Sequence, residues 1–293
     1  MKKKFISIML CVCLVVVVTS VLLLIYQRNN LKNTVDVSKL NNVKIVDLEP
    51  IEYIELPSTL DNGAALTATG ISCDRNSKAL FIGNYGKESS EDSDIYPSII
   101  SVSQESFNVN GYIHFDMDSI DIQGIAYDVT NNSFWYTNGD SVINCSALDA
   151  SELSSFSLDK YSKYKANGIC IDANDDSLWV LCLYKYLLNY DKKGNLLKVL
   201  DCEYIGQDHI CSDNNGLLYI SAGVDYNGEN NYIICIDKNA EIKTIYRAKG
   251  SYAIEGVLIL DDNLYIVNDG IYHDAKIRKN FIQIYNISCG DMR

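Results

Sequence analysis

The sequence predicts an all-β fold: a β-propeller of five blades, six being possible, closed by an N-terminal strand and preceded by one N-terminal transmembrane helix. Three observations predict it. Five stretches share one pattern, an apolar strand, a turn rich in Asp, Asn and Gly, and a second strand with an aromatic at a fixed place. The stretches recur at 41 to 54 residues, a spacing that fits units of four antiparallel strands. A strand-like stretch also precedes the first unit, while the last unit is one strand short.

From the N-terminus, Lys2, Lys3 and Lys4 mark residues 1–4 as a cytoplasmic stub. Residues 5–26 follow, 22 residues without a charge. That length matches the roughly 20 residues that span a bilayer. A secretory signal has an apolar region of about 7–15 residues before a small-residue cleavage site. Here Thr19 and Ser20 are followed by more apolar residues, 21–25, so an uncleaved signal anchor is expected. The chain then reads as a single-pass plasma-membrane protein, anchored through residues 5–26. Residues 27–42 form a linker and residues 43–290 a propeller on the outer side.

Within the propeller, "VKIVDLEPIEYIEL" (43–56) is the strand-like stretch that belongs to no unit. The units open with "TGISCDRNSKALFIGN" (69–84), "QGIAYDVTNNSFWYTN" (123–138) and "NGICIDANDDSLWVLC" (167–182). The looser "DHICSDNNGLLYISAG" (208–223) and "EGVLILDDNLYIVND" (255–269) follow. After the last, only "NFIQIYNI" remains as a strand, so the N-terminal stretch is expected to complete that blade and remove its exposed edge. Asp74, Asp128 and Asp172 open the turns and are expected to bond their own turn backbone. Phe81, Trp135, Trp179, Tyr219 and Tyr265 are expected to pack between blades.

Charge bounds the partners. The net charge is −13, and the four basic residues before position 31, which no acidic residue accompanies, leave −17 for the rest. Nucleic acid and anionic lipid head groups are therefore disfavoured, and cations are favoured. Of ten cysteines, eight lie outside the apolar segment, with no close C-x-x-C pair to suggest a zinc ribbon. Most sit at apolar strand positions and are expected as buried thiols. An outer location permits disulfides, for which Cys170 and Cys182 are the first pair to test.

The residue that begins each innermost strand changes from unit to unit: Thr69, Gln123, Asn167, Asp208 and Glu255. All five bear oxygen, and the fold brings them to one channel mouth. Two carboxylates and two amides converging there suit a hard cation, Ca²⁺ or another divalent ion with waters, on Glu255, Asn167 and Asp208. The alternative is a wet mouth whose side chains bond one another and ordered water. The longest loops, 83–98, 222–232 and 268–280, fall on the same face, where propellers carry function. Thr69, Gln123, His209 and His273 are the candidate ligand-binding residues. His114, in an outer strand, reads as structural.

These inner-strand starts resemble the family of gluconolactonases and senescence marker protein (regucalcin), and the bacterial SdiA-regulated propellers. Glu255-Gly256 and Asn167-Gly168 match that family's pattern, in which the residue before the glycine supplies a divalent-metal ligand. Asp208 matches in position, with His209 in place of the glycine, and Glu255 lies in the last unit where the family has its glutamate in the first. The resemblance implies a propeller and, if the chemistry carries over, a metal-dependent lactone or ester hydrolase with Asp208 as general base. The leading expectation is a membrane-anchored binding module for an unknown small molecule or protein, and the hydrolase is the alternative.

Overall fold

The computed structural model describes residues 43–63, 65–85, 97–115, 122–183, 185–202, 208–222, 225–228 and 230–288. The expected stub, anchor and linker, and Cys289, lie outside these residues. Two strands come first, β1 (Ile45–Leu48) and β2 (Pro50–Glu55). Blade one is β3 (Ala68–Asp74), β4 (Ala79–Asn84), β5 (Ser98–Ser103) and β6 (Val109–His114). Blade two is β7 (Ile125–Asp128), β8 (Ser133–Thr137), β9 (Ser141–Ser146) and β10 (Glu152–Ser157). Blade three is β11 (Ala166–Ile171), β12 (Leu178–Cys182), β13 (Tyr186–Tyr190) and β14 (Leu196–Asp201). Blade four holds β15 (Ile210–Ser212), β16 (Leu218–Ala222), β17 (Tyr232–Ile236) and β18 (Ile242–Ala248). Blade five holds β19 (Ile254–Leu260), β20 (Asn263–Asp269) and β21 (Asn280–Asn286), with β2 beside β21. Five sheets thus make five blades among the described residues. Their inner strands β3, β7, β11, β15 and β19 pack one on the next, and β19 packs back on β3.

The stretch 43–56, read from sequence as one strand, is two. Pro50 has no amide hydrogen and restricts the residue before it, so the run breaks at Glu49. β1 pairs parallel with β18 in blade four, and β2 pairs antiparallel with β21 in blade five. One segment therefore touches two neighbouring blades.

Burial grades outward along each blade. β8 and β12 are buried throughout, because both faces of a blade meet other blades, whereas β10 is exposed at nearly every residue. The apolar residues collect into five clusters, one per blade interface. Each repeated aromatic sits in the cluster between its own blade and the next: Phe81, Trp135, Trp179, Tyr219 and then Tyr265, which packs back against blade one. The conserved geometry of the repeat is an inter-blade wedge.

Inner strands come so close that no side chain fits where they cross. A Cβ on Gly124 would lie 2.5 Å from the Asn167 carbonyl oxygen and 2.8 Å from Gly168 Cα. Glycine is required there by the approach of two backbones. Cys73, Cys145, Cys170, Cys182, Cys202, Cys211 and Cys235 are free thiols, six of them buried. Burial pushes the Cys182 thiol up to about 12, so it stays protonated and inert.

Candidate functional site

Antiparallel pairing sets the start of each inner strand beside the end of the second strand. Ala68 opposes Asn84 and Ile254 opposes Asn268. The varied residues and the loops that follow the second strands therefore meet at one mouth. A cavity of about 180 Å³ opens there, and Thr69, Gln123, Asp208 and Glu255 from the strand starts line it. Tyr85, Tyr226, Asp269, Tyr272 and His273 complete the wall from the three long loops. Asn167 stands behind: its side-chain amide donates to Asp208 Oδ1 at 3.0 Å, and its backbone carbonyl accepts from Thr137 Oγ1 at 3.0 Å.

Two of these loops are held by hydrogen bonds among their described residues. Asp225 Oδ1 accepts from the Asn227 amide, and Asn231 Nδ2 donates to the carbonyls of Asp225 and Ser251. Asp269 Oδ1 accepts from the Tyr272 amide at 2.9 Å, which shapes the turn carrying His273. Gly270 follows Asp269 because a Cβ there would overlap the Ile277 carbonyl oxygen. The Lys276 amide donates to the Tyr226 carbonyl and joins the two loops.

Electrostatics make this cluster unusual. His273 Nε2 lies 2.6 Å from Glu255 Oε1, a charge-assisted distance. Burial, then the charge of Asp269, pushes the Glu255 carboxyl well above the usual carboxylate range. Burial and the neighbouring Glu255 do the same to Asp208, against the Asn167 hydrogen bond and His273. Asp269 is pushed up to about 6 by burial, with the Tyr272 amide, His273 and the Ile271 and Ala68 amides opposing. Burial lowers His273 although Asp269 and Asp208 favour its charged form. The carboxyls and the imidazole thus bias one another's protonation through their neighbouring charges.

Two buried oxygens at this mouth lack partners. Asp269 is 0% exposed and its Oδ2 has no hydrogen-bond donor, and Thr69 is 4% exposed with Oγ1 likewise unmatched. Sequence reading missed Asp269. Its signal was available, since the residue ending the second strand of the last unit faces the varied position. Among the described residues no three of His, Cys, Asp and Glu stand close enough to hold a metal ion between them.

His209 stands apart from the mouth. It is 1% exposed, lies outside the cavity wall, and its Nδ1 is 3.2 Å from the Val257 carbonyl oxygen in the next blade. A Cβ on Gly70 would come within 2.6 Å of His209 Nε2, so the ring fills space at the axis that the other units leave to glycine. His114 bonds Ser98 Oγ and Asp61 at an outer strand. Asp74, Asp128 and Asp172, at the opposite end, accept from turn amides two residues on. Asp128 and Asp172 also pair with Lys192 and Lys238 of the following blades, at 2.7 and 2.6 Å.

No protein-family model and no curated protein matches the chain. Among solved structures it is similar to a glutaminyl cyclase of Myxococcus xanthus, with TM-score 0.58 and 10% identity over 84% of this chain and 99% of that one. It is also similar to a chain of a nidogen–laminin complex, with TM-score 0.51 and 16% identity over 70% and 73% of the two chains. At such identities the likeness establishes the fold: this chain is a five-bladed β-propeller.

Proposed function

We propose that the protein is a membrane-anchored binding module that holds a cation at the acidic mouth of its propeller, outside the cell. One observation carries this reading: Asp208, Glu255, Asp269 and His273 close on a single small cavity, where burial and neighbouring carboxylates push the carboxyls above their usual range. A bound cation relieves that repulsion, which is a source of affinity that needs no large contact area. Ca²⁺ is one candidate and a cationic organic group another. The Glu255–His273 pair beside Asp208 also supports a second reading, an ester or lactone hydrolase, because it sets an acid and a base within reach of one ligand.

Thermal unfolding of the full-length protein in detergent, against a panel of inorganic and organic cations, tests both. Binding stabilises by RT ln(1 + [L]/Kd), about 2.7 kcal/mol at a hundredfold excess over Kd. Glu255→Gln keeps the shape and removes a charge, so the response should move to much higher cation concentration. Without cation it should stabilise the protein near neutral pH, by removing repulsion. If no cation raises the melting temperature, the cation reading fails. Turnover of sugar lactones that EDTA abolishes would promote the hydrolase instead.

A further inference from the structure

We propose that the cation taken by this mouth is a primary ammonium group on a small organic stem, with Asp269, Thr69 and Asp208 receiving its N–H groups and tyrosines walling the stem. The inference rests on the cation-binding reading and narrows it to one ligand chemistry.

Two oxygens at the mouth are unmatched. Asp269 Oδ2 and Thr69 Oγ1 are buried acceptors with no donor, an arrangement folded proteins avoid because the lost hydration is not replaced. What satisfies them must bring positive charge together with either hydrogen-bond donors or direct coordination. A quaternary ammonium brings charge and no donor. A calcium ion would coordinate the oxygens directly, but it takes six to eight oxygen ligands where the described residues offer no cluster of three metal-binding groups. A primary ammonium carries three donors around a compact charge. The anionic side chains are placed for it: Glu255, engaged with His273 at 2.6 Å, supplies field more than a contact.

Size and lining point the same way. A cavity of about 180 Å³ is below the roughly 300–1,000 Å³ of sites that enclose a whole small molecule, so it takes a head group and leaves the body at the rim. That rim is aromatic. Tyr226 stacks on His273 with centroids 5.0 Å apart, and Tyr272 meets the same ring edge-on at 4.9 Å. Both tyrosines are partly open to solvent, 37% and 48% exposed, and offer an apolar, electron-rich wall to the stem and to the charge.

Calorimetric titration of the full-length protein in detergent, near pH 7.5 and at constant ionic strength, tests this with four probes: n-propylammonium, 2-phenylethylammonium, tetramethylammonium and calcium chloride. The two primary amines should bind, the phenyl one about three- to tenfold tighter through the rim. Asp269→Asn should weaken both about tenfold or more, through loss of a charge-assisted hydrogen bond. Tyr272→Ala should erase only the phenyl preference, and Asp74→Asn, at the far end, should change nothing. Should Asp269→Asn not fold, Tyr272→Ala at the exposed rim decides. Retention of the phenyl preference in that variant overturns the proposal. So does tetramethylammonium or calcium binding as tightly as the primary amines, a result that leaves the cation-binding module standing. No heat from any probe overturns both.

Discussion

Glycine and histidine do opposite work at one level of the channel. Gly70, Gly124, Gly168 and Gly256 let neighbouring inner strands touch, while His209 at the equivalent place fills the axis and reaches Val257 across a blade boundary. Burial holds the His209 imidazole neutral, lowering its pKa to about 4 against the backbone of Val257 and Ile125. The sign follows: an unfolded chain takes up this proton near pH 6.5, the folded chain near 4. His209 thus contributes stability that is fully present above 6.5 and is lost as pH falls toward 4, about 3 kcal/mol in all. Asp269 works the other way, since its raised pKa of about 6 makes its contribution present below about 4 and lost as pH rises through 6. Denaturant unfolding of parent and His209→Gln between pH 4.5 and 7.5 should therefore differ in slope. The variant should be less stable than the parent at pH 7.5 and close much of that gap at pH 4.5. A constant gap across the range would show that His209 stays neutral in both states or charged in both.

At the scale of elements, the N-terminal pair β1 and β2 joins two blades. β2 presents Glu52 and Glu55 on an exposed edge, the kind of charge that discourages edge-to-edge association, and buries Ile54 in the cluster between blades five and one. β1 is tied to blade four by Asp47 with Arg247 and Lys249, all partly exposed and each worth little. Removing residues 43–56 strips the backbone partner from β21 and exposes Ile54's neighbours. The loss should be several kcal/mol, a large part of the 5–15 kcal/mol typical of a domain. Loss of cooperative unfolding, or aggregation, is the expected result in calorimetry. Melting unchanged from the parent would show that the other blades hold the ring without this clasp. Ile54→Ala alone should cost about 2–5 kcal/mol by leaving a cavity in that cluster.

For the whole molecule, acidic character and the proposed topology belong together. A net charge of −17 beyond residue 30 draws cations and repels anionic surfaces, at ranges set by a Debye length of about 8–10 Å. The proposed anchor predicts that the full-length protein stays in the membrane fraction through a carbonate wash, and that protease added to intact cells removes the propeller. A soluble mature form beginning near residue 27 would show a cleaved signal instead.

The repeat was legible because its signals are local: alternating burial, an Asx turn and one aromatic wedge recur at a spacing that only stacked four-stranded blades satisfy. From these, the sequence by itself determined the all-β propeller class and narrowed the blades to five or six, and it pointed to the varied positions Thr69, Gln123, Asn167, Asp208 and Glu255; the folded sheets decide for five. Two things were decided only by tertiary structure. The split of 43–56 between two blades depends on which edges the folded ring leaves unpaired, and no period within the segment encodes that. The mouth's chemistry depends on Asp269 at the end of β20 and His273 in the loop beyond it meeting Thr69 and Asp208 from strand starts far away in the chain. Its charge balance depends on burial, which exists only once those pieces meet. A carboxyl in a chain is an ordinary acid; the same carboxyl buried beside two others, with an oxygen left unmatched, is a request for a cation.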